Sequence, residues 1–232
     1  MKRLPKPQTV NYEVGVLRSA FMWGQDREVI VKVPTRKVKK LKSHAKKPVR
    51  ILSEKETRLL LKTAQEMAKR DPRMKVFALA FQFLLNTGLR SGELCNLTWD
   101  DVDLDTGLIQ IRAKEGWTPK SYERSFYLNE TCLGILGSME RFDGPIFRSH
   151  SGRKLSTDDL RRALIRVARA AGFVDLTRVH DLRHTFSSQM QMKGIDPGTV
   201  ATILGHRGIE TTAIYTHQTA EHLKVSINMI QI

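Results

Sequence analysis

Tyr215 lies in Thr211-Thr212-Ala213-Ile214-Tyr215-Thr216-His217, among small or hydroxylated neighbours. A tyrosine in a folded protein is ordinarily a packed aromatic. Its hydroxyl can nevertheless attack phosphorus when cations offset the developing charge and another group handles protons. Side chains suited to both tasks recur upstream. His180 and Arg183 are three apart on one expected helix, so an imidazole and a guanidinium share a face and can address one phosphate. Arg90 follows Thr87-Gly88-Leu89 at a loop-to-helix junction, where it can clamp a phosphate or simply pair with Glu93. His206 follows Leu204-Gly205, nine residues before the tyrosine. His180 and His184 have a spacing that can hold zinc, but Asp181-Leu182-Arg183 between them offers no glutamate in the zinc-protease position, and His184 is better explained by structural hydrogen bonding.

The chain around these residues is strongly basic. Its 232 residues carry 39 Lys and Arg against 24 Asp and Glu, a formal charge of +15, with 41% apolar residues. That apolar content supports one substantial core with a smaller appendage, and the charge selects a polyanionic partner. Because the basic residues spread through folded segments and do not gather on one amphipathic helix, nucleic acid is favoured over a membrane surface. The longest apolar stretch, Val76 to Leu85, contains Gln82 and is far too short to span a bilayer. Two cysteines, Cys95 and Cys132, are too few for a disulfide framework and fit a reducing compartment, so a cytoplasmic, nucleoid-associated location is expected.

Nine Lys or Arg and no acid fall between Lys32 and Arg50, with Pro34 and Pro48 near the ends; such a segment cannot build a core and reads as a linker that could also lie along a DNA backbone. Upstream, Thr9 is expected to cap a helix whose Val10, Val14, Leu17 and Phe21 share a face and which ends before Gly24. Downstream, Ser53 and Glu56 form a capping-box pattern opening a helix to about Lys69, and a core helix is expected from Pro72 to Asn86. A short helix from Ser91 to Leu97 leads into Trp99 and an acidic turn. Leu108 to Ile111 and Ser125 to Leu128 read as two strands joined by a long basic excursion, Arg112 to Arg124. Helices return at Ser156 to Ala171, at Thr177 to about Gly194, and from Asp196-Pro197 to Gly205, with Thr211 as a cap for the helix carrying Tyr215. The expected fold is mainly α with a small antiparallel β-sheet, an α+β arrangement.

Asn86-Thr87-Gly88-Leu89-Arg90-Ser91-Gly92-Glu93-Leu94, His180-Asp181-Leu182-Arg183-His184-Thr185, Leu204-Gly205-His206 and the segment around Tyr215 together resemble, in order and interval, the catalytic domain of the tyrosine recombinases, the phage-integrase family. The resemblance runs from about Ile51 to the C-terminus. It implies a catalytic domain over 51–232, a basic linker over 35–50, and a partial helical core-binding domain over 1–34, since Thr9 to Pro34 matches only the last part of that domain. Family members carry a catalytic lysine on the β-hairpin between Arg90 and His180. Lys120, in Thr118-Pro119-Lys120-Ser121 with Arg124 just before the returning strand, is favoured over Lys114, nearer the first strand.

The same resemblance implies a reaction. Tyr215 attacks a backbone phosphorus to give a 3′-phosphotyrosyl link and a free 5′-hydroxyl, and a hydroxyl from another strand later reverses the step. Arg90 and Arg183 neutralise the non-bridging oxygens, Lys120 protonates the leaving oxygen, His180 handles the tyrosine proton and His206 hydrogen-bonds the phosphate. No metal or nucleotide cofactor is implied. The expected partner is double-stranded DNA, bound as a homo-tetramer on paired sites with accessory DNA-bending or directionality proteins. Glu221 to Ile232 reads either as a helix exchanged between protomers or as one packed within its own subunit. Two other readings use the same residues: a DNA-binding regulator that no longer cuts, and a type IB topoisomerase.

Overall fold

The computed structural model describes residues 4–42, 49–205, 227, 229 and 230. The chain divides into two compact units, Met1–Pro48 and Val49–Ile232, with the division inside the basic segment.

In the first unit, α1 (Pro7–Asp26) is capped by Lys6 and starts three residues earlier than a Thr9 cap would set it. Pro7 occupies the first helical position, where its missing N–H is harmless. Val10, Val14 and Phe21 are half-buried while Leu17 stays exposed, because only one short segment packs on this helix within its unit. That segment is the first part of the basic run. Arg18 Nη2 donates to the Thr35 and Val38 carbonyls at 2.9 and 2.7 Å, and Asn11 exchanges two hydrogen bonds with the Leu41 backbone. Residues 34–42 are therefore tied to α1, with a 3₁₀ turn at Pro34–Lys37.

The second unit is built on α3 (Lys75–Thr87), whose Phe81, Phe83, Leu84 and Leu85 are sealed in the core. Against it pack α2 (Glu54–Arg70), opened by the Ser53/Glu56 capping box, α5 (Glu130–Gly137), α6 (Thr157–Ala170) and α7 (His180–Met192). Pro72 opens a separate 3₁₀ turn before α3. α6 begins as expected, with Ser156 capping Asp159. α7 does not begin at Thr177: the chain turns through an Arg178–Asp181 ion pair and becomes helical only at His180.

α4 (Ser91–Asn96) follows the left-handed Gly88, and α8 (Pro197–Leu204) starts from the Asp196 cap and stops at left-handed Gly205. The sheet has three antiparallel strands in the order β1 (Val102–Asp103), β2 (Leu108–Ile111), β3 (Arg124–Tyr127). β1 is a two-residue strand emerging from the acidic turn, too short to show any alternation. β2 and β3 pair with Ile109 opposite Phe126 and Ile111 opposite Arg124, so the excursion between them is anchored at both ends. Ile227 and Ile230 are buried in this unit's own core and Met229 is exposed; the rest of the Glu221 to Ile232 segment lies outside the described residues. No helix among the described residues is long and apolar enough to cross a membrane.

Candidate active site

The end of α3 sets the first functional side chain. Gly88 adopts φ +62°, a conformation that glycine takes without steric penalty, and a Cβ there would lie 2.4 Å from a Phe186 ring carbon and 2.6 Å from a Leu204 methyl. The chain thus reverses against α7 and α8 and presents Arg90 at the start of α4. Glu93, one turn on, caps Arg90: its carboxylate accepts the Arg90 backbone N–H at 2.9 Å and Nη1 at 3.1 Å.

Glu93 does more than pair with Arg90. Its side chain is 1% exposed and also accepts Ser121 Oγ at 2.8 Å and Arg124 Nη1 and Nη2 at 3.2 and 2.8 Å. Burial opposes ionisation of this carboxylate, but the hydrogen bond and charge of Arg124, with the Arg90 N–H, outweigh it and lower the pKa to about 2. Arg124 was legible only as a residue near the returning strand. The signal that it is buried lies in the β3 alternation: Arg124 and Phe126 point inward, so an arginine takes a core position and must find an acid there.

A cleft of about 560 Å³ opens above this network, lined by Arg90, Ser91, Gly92, Trp117, Thr118, Lys120, Thr157 and His180. Three of the sequence-derived candidates, Arg90, Lys120 and His180, therefore meet in one place. Lys120 is exposed. The His180 pKa is lowered to about 4, first by desolvation and then by the charges of His184, Arg183 and Arg90, so its imidazole is neutral at pH 7. His184 stacks edge-on to His180 with ring centroids 4.6 Å apart.

Arg183 sits below the cleft wall, 3% exposed, and donates Nη1 to the Gly88 carbonyl at 2.8 Å and Nη2 to the Leu204 carbonyl at 2.7 Å. Desolvation, followed by the charge of Arg90, brings its pKa down to about 9, and it remains a cation at neutral pH. Lys114 is not in the cleft lining. Its ammonium donates to the Asn96 carbonyl at 2.7 Å and Thr98 Oγ1 at 2.9 Å and forms an ion pair with Asp101, whose side chain is 1% exposed. The backbone of Lys114 also exchanges two hydrogen bonds with Trp117, fixing the ledge that carries Trp117 into the cleft. His206 and Tyr215 lie outside the described residues, although α8 delivers the chain to Gly205, immediately before His206.

With this geometry in view, comparison with known proteins is specific. The model of the phage integrase family matches residues 50–222. Tyrosine recombinase XerC of Thermodesulfovibrio yellowstonii is 31% identical over 150 residues, 61% of this chain and 50% of that protein. Tyrosine recombinase XerA of Thermococcus kodakarensis is 35% identical over 176 residues, 75% of this chain and 60% of that protein. The chain thus spans about half to three-fifths of the length of these curated relatives. Among solved structures, the Tn1549 transposon integrase in complex with a circular intermediate DNA superposes with a TM-score of 0.71 at 22% identity, over 98% of this chain and 80% of that one. The crystal structure of XerA recombinase does so with a TM-score of 0.55 at 26% identity, over 94% of this chain and 75% of that one.

Proposed function

We propose that this chain, which belongs to the phage integrase family, breaks and rejoins double-stranded DNA through a covalent bond to Tyr215. The observation that carries this reading is a charge imbalance at the cleft: the guanidiniums of Arg90, Arg124 and Arg183 gather around one buried carboxylate, Glu93, with Lys120 on the rim. Like charges held together in a poorly solvated place are relieved by an anion, and a backbone phosphodiester is such an anion.

In the proposed reaction the Tyr215 oxygen bonds to phosphorus as the bond from phosphorus to the 5′-oxygen breaks. The departing electron pair takes a proton from the Lys120 ammonium, leaving a 3′-phosphotyrosyl link. Arg90 holds the non-bridging oxygens, and Arg183 offsets their charge from its buried position beside Arg90, where its Nη1 and Nη2 are held by the Gly88 and Leu204 carbonyls. His206 hydrogen-bonds one of those oxygens, and His180, neutral when the cleft is empty, receives the tyrosine proton. Attack by a 5′-hydroxyl reverses each transfer. Two observations support Lys120 as the general acid over Lys114: Lys120 lines the cleft with a free approach, and the Lys114 ammonium is occupied by Asn96, Thr98 and Asp101. The reading needs no metal or nucleotide. Its partners are duplex DNA, three further copies on paired sites, and accessory DNA-bending or directionality proteins, at the cytoplasmic nucleoid.

The test is covalent capture. A random pool of nicked duplexes is incubated in EDTA, and SDS-resistant adducts are recovered and sequenced to define the site. Tyr215→Phe is expected to shift that DNA in a gel yet yield no adduct; undiminished adduct from this variant overturns the proposal. On a 5′-bridging phosphorothiolate, whose sulfur leaves without a proton, Lys120→Ala should regain cleavage. Rescue of Lys114→Ala alone assigns the acid to Lys114 instead.

A further inference from the structure

We infer that Arg124 is a positioning residue that sets the place of the general acid, an inference that rests on Lys120 filling that role. Arg124 does not line the cleft, and its side chain is 4% exposed. All of its donors are directed inward, to three separate pieces of chain. Nε donates to the Ile203 carbonyl at 2.7 Å, at the end of α8. Nη1 donates to Ser121 Oγ at 2.8 Å, on the residue next to Lys120. Nη2 donates to Glu93 Oε2 at 2.8 Å, and Glu93 in turn caps Arg90.

Lys120 has a long flexible stem on a twelve-residue excursion, residues 112–123 between β2 and β3, so its ammonium gains a definite position only if the backbone at 120–121 is held. Ser121 supplies that hold: its hydroxyl bridges Arg124 and Glu93 and is 2% exposed. Gly205 shows how tightly the brace is fitted. A Cβ there would lie 3.0 Å from Arg124 Cδ, 3.1 Å from its Nη1 and 3.1 Å from Ser121 Cβ, so the turn leading to His206 closes directly onto the brace. The fork of a guanidinium is what makes this possible, since an ammonium in the same place could not donate along three fixed directions.

The experiment compares two leaving groups. Arg124→Gln and Ser121→Ala are each assayed for single-turnover cleavage of the captured site, as an ordinary phosphodiester and as the 5′-bridging phosphorothiolate, alone and combined with Lys120→Ala. The expected result for Arg124→Gln is a loss on the order of 100-fold in the cleavage rate of the phosphodiester with little change in DNA affinity, and recovery to within about threefold of wild type on the phosphorothiolate. Ser121→Ala should show a smaller loss with the same recovery, and it keeps the test open if Arg124→Gln does not fold. Combined with Lys120→Ala, neither substitution should slow phosphodiester cleavage further. Equal losses on both substrates, or no loss from either variant, overturn the inference. If Lys120→Ala is itself not rescued, the underlying reading fails; if Lys120→Ala is rescued and Arg124→Gln and Ser121→Ala are not, only the role of Arg124 fails.

Discussion

Arg183 Nη2 donates to the Leu204 carbonyl at 2.7 Å, and Arg90 Nη1 reaches the same oxygen at 3.5 Å. Two cations from α7 and the start of α4 thus converge on one main-chain acceptor at the end of α8. Hydrogen bonds fix Arg183, but nothing in this contact cancels the mutual repulsion, which contributes to lowering the Arg183 pKa. An anion entering beside Arg90 does cancel it.

Sulfate should therefore stabilise the protein beyond the effect of ionic strength. At ten times its dissociation constant an anion bound only to the folded state contributes about 1.4 kcal/mol, a rise of roughly 3–6 °C in Tm for a domain of this size. Differential scanning fluorimetry against sodium chloride of matched ionic strength reads the difference. Arg90→Gln should abolish it, and an equal rise in that variant places the anion elsewhere.

The two hairpin lysines should separate stability from chemistry. Lys114→Met leaves Asp101 buried beside only Arg112 and the Thr98 cap, and with Lys114 partly exposed the expected loss is about 1–3 kcal/mol in urea unfolding. Lys120→Ala should change stability by no more than about 0.5 kcal/mol while strongly slowing phosphodiester cleavage. A stable Lys114→Met together with a destabilised Lys120→Ala contradicts both assignments.

The difference between these lysines also marks how far the sequence could be read. Spacing alone placed Arg90 at a helix start and put His180 and Arg183 on one helix, because periodicity and the ordered motif set are local properties. That Gly205 stops a helix followed from residue type; the left-handed backbone there and at Gly88 is seen only in the structure. What the sequence could not show is depth. Arg183 and His180 share a helix face by spacing, yet Arg183 is buried under the wall and His180 opens to the cleft, since depth is decided by Gly88 and Leu204 from distant parts of the chain. Glu93 was visible as a partner of Arg90, but Ser121 and Arg124 join it across the hairpin, a pairing that only the β2–β3 register creates. α5 was missed: it has two glycines in eight residues and a weak apolar stripe, and its Asn129 cap gains its meaning from burial against Asn86.

Acid should act on the site through two groups. Glu93 titrates near pH 2 when folded against 4.5 for a free glutamate, so its contribution is complete above about pH 4.5 and is lost as the pH falls toward 2. The full effect is on the order of 3 kcal/mol. His180 acts in the same direction for a different reason, since folding favours its neutral form: its folded pKa is lowered from 6.5 to about 4, so the unfolded chain takes up the proton first and the folded state loses ground as the pH falls from 6.5 to 4. Glu93→Gln should flatten the lower part of the stability profile, and His180→Asn the upper part. Nitrogen-edited NMR of the His180 ring should give a midpoint near pH 4 in free protein and a higher one with duplex bound, because phosphate favours the imidazolium. A ring that titrates at 6.5 without DNA contradicts the burial of His180 and the positive charge around it.

Glycine substitutions provide the sharpest check on how Arg90 is placed. At Gly88 the positive φ and the contacts of 2.4 and 2.6 Å to Phe186 and Leu204 leave no room for a methyl group, so Gly88→Ala must displace α7 or α8 as well as strain its own backbone. The expected loss is about 3 kcal/mol or more. Gly134, in the middle of α5, has ordinary helical backbone and nothing within 4 Å of its added Cβ. There alanine should stabilise by about 0.5–1 kcal/mol, chiefly by restricting the unfolded chain. Gly88→Ala should also lose the sulfate-dependent rise in Tm, since the strained turn at the end of α3 and the end of α8 carry the two carbonyls, Gly88 and Leu204, that hold Arg183 beside Arg90. Urea unfolding of the two variants with and without sulfate makes the comparison, and a Gly88→Ala protein with wild-type stability and wild-type sulfate response would falsify the close packing that brings Arg90 to the cleft.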